Sequence, residues 1–317
     1  MRTAVVGVGY LGRFHAQKYA TLRKSTLIAV ADPDARACAA VAGELGVEAC
    51  ADYRHLIGRV DAVSVVTPTP THHEIAKAFL EGGAHVLVEK PMTVSVAEAE
   101  SLIAAARRAQ RILQVGHLER FNAAVRAIQP ILTVPRFIES ARLAPFKIRG
   151  TDVDVVLDLM IHDIDLILSI VRSPVVSVDA IGSSVFSGEI DIANARLKFA
   201  NGCVANATAS RVSLKTERKL RLFQDDAYLS VDLQQKVRTV IRKGSGVAVD
   251  GTPQVLIDET NYDQGDALRE EIEAFLDAAE SGGAPPVSGE DGLLALRTAI
   301  SITEQVAKTQ RDVSPSK

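Results

Sequence analysis

The first thirty-two residues constrain the fold more than any other part of the chain. Thr3-Ala4-Val5-Val6 is a short apolar run, and Gly7-Val8-Gly9-Tyr10-Leu11-Gly12 follows at once. Residues 13–20 continue with helical character, a second apolar run covers 27–31, and Asp32 ends it. The order is strand, glycine turn, helix, strand, acid, with the acid twenty residues past the last glycine. A dinucleotide needs this order. Gly7 allows the tight turn, Gly9 lets the backbone approach a pyrophosphate, and Gly12 lets the helix pack closely on the strand. Tyr10 and Leu11 open the helix, whose free N–H groups and partial positive charge face the phosphates. Asp32 accepts hydrogen bonds from the adenosine ribose hydroxyls, which favours NAD over NADP. A 2′-phosphate about 4 Å from that carboxylate would be repelled by up to ~4 kcal/mol at an effective dielectric of about 20. Arg36, one turn into the next helix, would offset part of this.

The 317 residues suggest about two domains. A net charge of −3 without a basic block argues against nucleic acid and against an acidic membrane surface. No apolar run approaches the ~20 residues of a membrane span. Cys38, Cys50 and Cys203 are scattered and form no CxxC, which fits a reducing cytoplasm and argues against disulfides or a thiolate metal site. The chain enters a strand by residue 3, so no signal peptide is expected. Cytoplasmic localisation is the expectation.

The first third alternates strand and helix. Ala62-Val63-Ser64-Val65-Val66 is a continuous apolar run, as a buried parallel strand should be. It ends at Thr67-Pro68-Thr69-Pro70, with Thr71 placed to cap a helix from His72. Val86-Leu87-Val88 leads into Glu89-Lys90-Pro91, and Ile112-Leu113-Gln114-Val115 leads into Gly116-His117. These features predict a doubly wound Rossmann sheet of at least five parallel strands. Beyond residue 120 strand-like runs follow one another, with one amphipathic helix over 155–171 and a hairpin signal at Asn201-Gly202. Two late helices, over about 265–281 and 290–309, close the chain. The expected class is α/β: an N-terminal Rossmann domain, 1–120, plus a C-terminal α+β domain, 121–317, with a large, mainly antiparallel sheet. The last helix is free to pack back on the first domain.

Ligands of open parallel sheets bind at the carboxyl ends of the strands. Asp32, Thr67-Pro68, Glu89-Lys90-Pro91 and Gly116-His117 all stand at such ends. A cis Lys90–Pro91 bond would turn the lysine into the crevice. Beside a nicotinamide carrying positive charge, a lysine becomes a proton-exchange group. Asp158 and His162, four apart on one helical face, form a second candidate: the carboxylate orients the imidazole and raises its basicity. The bland alternative is that Asp158 caps that helix and His162 is its surface partner. His72-His73 and His162-Asp163 lack metal-ligand spacing, so no metal is expected. His15 and His117 read as crevice or packing residues. Arg120 and Asn122 either hold a substrate or form a helix-start network.

These residues resemble the Gfo/Idh/MocA family of NAD(P)-dependent oxidoreductases along essentially the whole chain. The glycine turn, Thr67-Pro68-Thr69 with His72, Glu89-Lys90-Pro91-Met92 and the Asp158/His162 pair carry the likeness. The resemblance implies hydride transfer between a nicotinamide and a sugar or cyclitol carbon. Lys90, His162 and Asp158 would be catalytic. Gly7, Gly9, Tyr10, Leu11, Gly12, Asp32, Thr67, Pro68, His72, Glu89 and Lys90 would lie against NAD. Lys90, His117, Arg120, Asn122, Arg149 and His162 would lie against substrate, and Arg211 is a further candidate for a substrate phosphate. Residues 115–122 and 157–165 are similar to a subgroup acting at C3 of UDP-N-acetylglucosamine, with Ala123 in place of its usual proline. That implies a nucleotide-sugar substrate, a downstream aminotransferase in a lipid A precursor pathway, and a homodimer or homotetramer. A myo-inositol or other polyol dehydrogenase is the alternative within the family, and a non-catalytic NAD-binding regulator is the alternative outside it.

Overall fold

The computed structural model describes residues 1–147, 153–247, 251–262 and 264–313. The chain forms two compact units, residues 1–118 with 266–296 and residues 119–265 with 297–317.

The first unit opens with β1 (Arg2–Val6), α1 (Tyr10–Thr21), β2 (Thr26–Ala31), α2 (Ala35–Leu45) and β3 (Glu48–Cys50). It continues with β4 (Ala62–Val65), α3 (His72–Glu81), β5 (His85–Glu89), α4 (Val96–Ala109) and β6 (Leu113–Gly116). The strands form one parallel sheet in the order β3-β2-β1-β4-β5-β6. The first four residues of the predicted run 62–66 make up β4 and are all buried, as the continuous apolar pattern requires. β3 is a sixth strand beyond the five predicted; at three residues it is too short to show a period. Asp34 caps α2 by accepting the Arg36 and Ala37 N–H groups, and Gly46 ends it in the left-handed conformation. Thr71, expected to cap α3, makes no capping bond. Its hydroxyl donates to the Pro68 carbonyl and lies 2.7 Å from Thr67 Oγ1, which is free to donate to it, tightening the preceding turn.

The second unit holds α5 (Ala123–Ile128), β7 (Phe137–Leu143), α6 (Ile161–Val171), β8 (Val175–Ser183), β9 (Ile192–Phe199) and β10 (Val204–Ser210). β11 (Glu217–Phe223), β12 (Tyr228–Asp232), β13 (Val237–Val247) and β14 (Pro253–Asn261) follow. The sheet order is β14-β13-β12-β11-β7-β10-β9-β8, antiparallel except where β7 and β10 run parallel. β9 alternates exposed and buried residues without a break, the period-two signature of a half-exposed strand. The Asn201-Gly202 hairpin forms between β9 and β10: the Gly202 N–H bonds the Phe199 carbonyl, and Gly202 takes φ 87°.

The remaining helices correct the predicted domain limits. α7 (Ala267–Ser281), placed by the sequence pattern in the second domain, belongs to the first unit. Its Ile272, Phe275 and Leu276 are fully buried in one core with Val5, Tyr19 and Val30. α8 (Gly289–Val313) contributes its residues up to Leu296 to the first unit and the rest to the second. None of the described helices is long and apolar enough to cross a membrane.

Candidate active site

The glycine turn is built as its spacing requires. Gly7 sits at φ +85°, and a Cβ there would stand 2.6 Å from the Val66 carbonyl oxygen. A Cβ on Gly12 would stand 1.8 Å from the Gly7 carbonyl oxygen, so only glycine lets α1 start this close to the turn. Around Gly9 the space is open. The first turn of α1 carries neither an acidic residue nor a side-chain cap. An open approach beside a helix start with donors to offer fits a dinucleotide pyrophosphate. Tyr10, 71% exposed, packs edge-on against Phe14 at 5.3 Å between ring centroids, and the half-buried Leu11 follows it in the first turn. Asp32 accepts the Val8 N–H at 2.8 Å and the Asp34 N–H at 2.9 Å. Each oxygen makes one such bond, so the carboxylate is aimed by the turn it serves and keeps lone pairs for a ribose. Arg36 stands exposed on the first turn of α2.

The ends of β4 and β5 are tied together by His72. Its ring is 1% exposed, with Nδ1 2.9 Å from the Pro91 carbonyl oxygen and Nε2 2.8 Å from that of Thr67. Burial pushes its pKa down, against the pull of the two carbonyls. The sequence reading places His72 against the cofactor; a neutral ring carries one N–H, so it donates to one of these two carbonyls, and its ring links Thr67-Pro68 to Pro91. The Lys90–Pro91 bond is cis, as expected. Lys90 is half-buried. Glu89, also expected against the cofactor, turns inward: its Oε1 lies 3.2 Å from Nε2 of the fully enclosed His15. Burial alone would raise the Glu89 carboxyl, but His15, Lys90 and His72 outweigh it and hold it below the usual range. Gly116 leaves the room; a Cβ there would lie 2.8 Å from Glu89 Oε1. His117, expected against substrate or as a packing residue, follows β6 and is 2% exposed.

In the second unit Asp158 lies in a π-helical turn, Val156–Met160, that runs directly into α6. The Ile161 N–H reaches the Val156 carbonyl, five residues back. Such wide turns are rare and recur at functional sites. The capping role weighed for Asp158 belongs to Asp154, whose Oδ1 accepts the Val156 and Leu157 N–H groups at 2.8 and 2.9 Å. Asp158 and His162 both stay half-exposed. Around them is an ion-pair network that the sequence reading did not find. Arg142 bonds Asp163 at 2.6 Å and Glu119 at 3.0 Å; all three are largely buried. Burial alone would lower the Arg142 pKa, but the two carboxylates outweigh it and push it up.

The same unit holds the arginines and the asparagine that the sequence reading weighs as substrate contacts. Arg120 grips Asp165 with Nε at 2.8 Å and Nη2 at 2.6 Å, a bidentate pair that commits one edge of the guanidinium. Asn122 caps α5 through the Ala124 N–H and donates to the Leu233 carbonyl and Glu119, the helix-start network. Arg211 is buried, donating from Nη2 to the Val153 carbonyl, with Nε 3.8 Å from Asp191. Arg149 lies outside the described residues.

Residues 1–117 match the model of the oxidoreductase family with an NAD-binding Rossmann fold, and residues 139–230 match the GFO/IDH/MocA C-terminal domain. UDP-N-acetylglucosamine 3-dehydrogenase of Acidithiobacillus ferrooxidans is 41% identical over 303 residues, covering 95% of this chain and 96% of that protein. A solved structure of that enzyme superposes with a TM-score of 0.92 at 40% identity, over 97% of this chain and 98% of the other. Myo-inositol 2-dehydrogenase of Thermotoga maritima is 27% identical, over 93% of each chain. The chain belongs to the Gfo/Idh/MocA family of oxidoreductases, whose Rossmann domain binds NAD.

Proposed function

We propose that this chain oxidises the C3 hydroxyl of UDP-N-acetylglucosamine to a ketone with NAD. The observation that carries the reading is the 41% identity over 95% of the chain to an enzyme of that name, with Lys90, Asp158 and His162 all in place. NAD, when bound, accepts the hydride. The chain supplies the rest. The glycine turn and the start of α1 hold the diphosphate, and Asp32 holds the adenosine ribose. Thr67 and Pro68, braced by His72, line the approach beside Lys90. His162, oriented by Asp158, or Lys90 takes the hydroxyl proton. Arg120, Arg149 and Arg211 are the candidates by type for the UDP phosphates; Arg120 keeps one edge of its guanidinium beyond its pair with Asp165. A C3 ketone is the substrate form an aminotransferase consumes, which fits a precursor pathway for a 3-amino sugar.

Homo-oligomerisation through the large sheet is part of the same proposal. It is supported by Val255, Leu256 and Ile257 on the edge strand β14, each at least 51% exposed. A cytoplasmic location suits the NAD pool. The test is NADH formation at 340 nm with UDP-N-acetylglucosamine, free sugars and myo-inositol as separate substrates, run with a ketone trap. Signal from the UDP-sugar alone is expected. Turnover of free myo-inositol would keep the family and overturn the substrate. Tight NAD binding without any turnover would favour a regulator.

A further inference from the structure

We propose that His15 is a positioning residue for Lys90 and acts on it through Glu89. Only the kinetic arm of the test rests on the dehydrogenase reading above. Glu89 is the last residue of β5 and Lys90 follows it directly. The Glu89 carboxylate goes into the core, where its Oε1 contacts His15 Nε2 at 3.2 Å. That approach is oblique rather than an aligned hydrogen bond. Behind it the chain of groups continues: His15 Nδ1 lies 3.3 Å from Ser64 Oγ, and Ser64 Oγ lies 2.9 Å from the Tyr19 hydroxyl. Burial pushes the Tyr19 phenol up, so it keeps its proton.

One proton arrangement suits every member. Tyr19 donates to Ser64, Ser64 donates to Nδ1 of His15, and the N–H on Nε2 faces the ionised carboxylate. On its other side Glu89 accepts the backbone N–H of Lys90 itself at 3.3 Å. The carboxylate therefore touches the peptide that carries the lysine and places a negative charge beside it. Three titratable groups face Glu89: His15 from α1, Lys90 directly after β5 and His72 from α3. Beyond Tyr19 the next charged group is Glu271 of α7. Without His15 the buried Glu89 loses its N–H partner and takes up a proton. Lys90 then loses an opposite charge, and its ammonium form is less favoured.

The test is acylation of Lys90 in the unliganded protein as a function of pH, read by peptide mass spectrometry. It compares wild type with His15→Leu, His15→Gln and Glu89→Gln. The reactive limb should move to lower pH by about one unit in His15→Leu and Glu89→Gln. It should return toward wild type in His15→Gln, whose amide restores a donor. In turnover, His15→Leu should lose about tenfold in kcat with its NAD Kd changed less than about threefold. An unchanged Lys90 profile in a folded His15→Leu protein overturns the proposal. If that variant does not fold, an unchanged profile in Glu89→Gln overturns it equally. Absence of turnover in wild type would count against the dehydrogenase reading and leave the acylation arm to decide this one.

Discussion

At the scale of single residues, the site separates groups that hold from groups that react. In the proposed reading Lys90 exchanges a proton with the substrate hydroxyl. Lys90→Ala should therefore lower kcat by about a hundredfold or more while the NAD Kd shifts by less than about threefold. Stopped-flow turnover alongside NAD titration checks this, and equal activity removes Lys90 from the mechanism. Asp32 behaves in the opposite sense. Asp32→Ala should weaken NAD about tenfold or more and narrow the preference over NADP, with kcat at saturation nearly kept. Retained discrimination would move the specificity elsewhere. The glycines and Asp32 were legible from the sequence because backbone geometry dictates them at fixed spacing. The inward turn of Glu89, the ring of His72 and the Arg120–Asp165 pair were not, because each depends on a partner far along the chain.

At the scale of elements, β5 and β6 are joined by a side chain that senses acid. His85 Nδ1 accepts the Ile112 N–H at 3.0 Å, which demands an unprotonated nitrogen. Burial first, and then the positive Arg111, pushes the His85 pKa below its ordinary 6.5. The unfolded chain thus binds the proton more readily. Stability from this residue is complete above about pH 6.5 and is lost as pH falls toward the folded value. Urea midpoints at about pH 7.5 and 5 should show a fall that shrinks in His85→Gln; an identical slope would count against the residue. His72, also lowered by burial, adds in the same direction. β-sheet alternation was plain in β9, whereas the cap expected of Thr71 did not form and that of Asp34 on α2 was not foreseen. The π-helical turn at Asp158 left no trace in the apolar pattern, because five residues are too few to set a period of their own. β14 escaped notice because nearly all of it is exposed, so burial imposed no alternation on it.

At the scale of the whole molecule, the first unit is not contiguous in the chain. Ile272, Phe275 and Leu276 of α7 complete a core that Val5, Tyr19 and Val30 begin. Burying three such side chains contributes roughly 5–8 kcal/mol, comparable to the total stability of many domains. A fragment ending before Asp266 should therefore show no cooperative unfolding of its Rossmann sheet by circular dichroism. A sharp transition in that fragment would mean the six strands suffice alone. The two-domain division was readable from the change of pattern near residue 120, but the return of α7 was not, since an amphipathic helix does not announce which sheet it covers. The same discontinuity bears on how the protein is made. A nascent chain emerges from the ribosome with its nucleotide-binding strands first, yet the helix that closes their core follows only after every strand of the second sheet. The segment translated earliest is thus among the last to be completed, and during synthesis it presents an open apolar surface of the kind that chaperones guard.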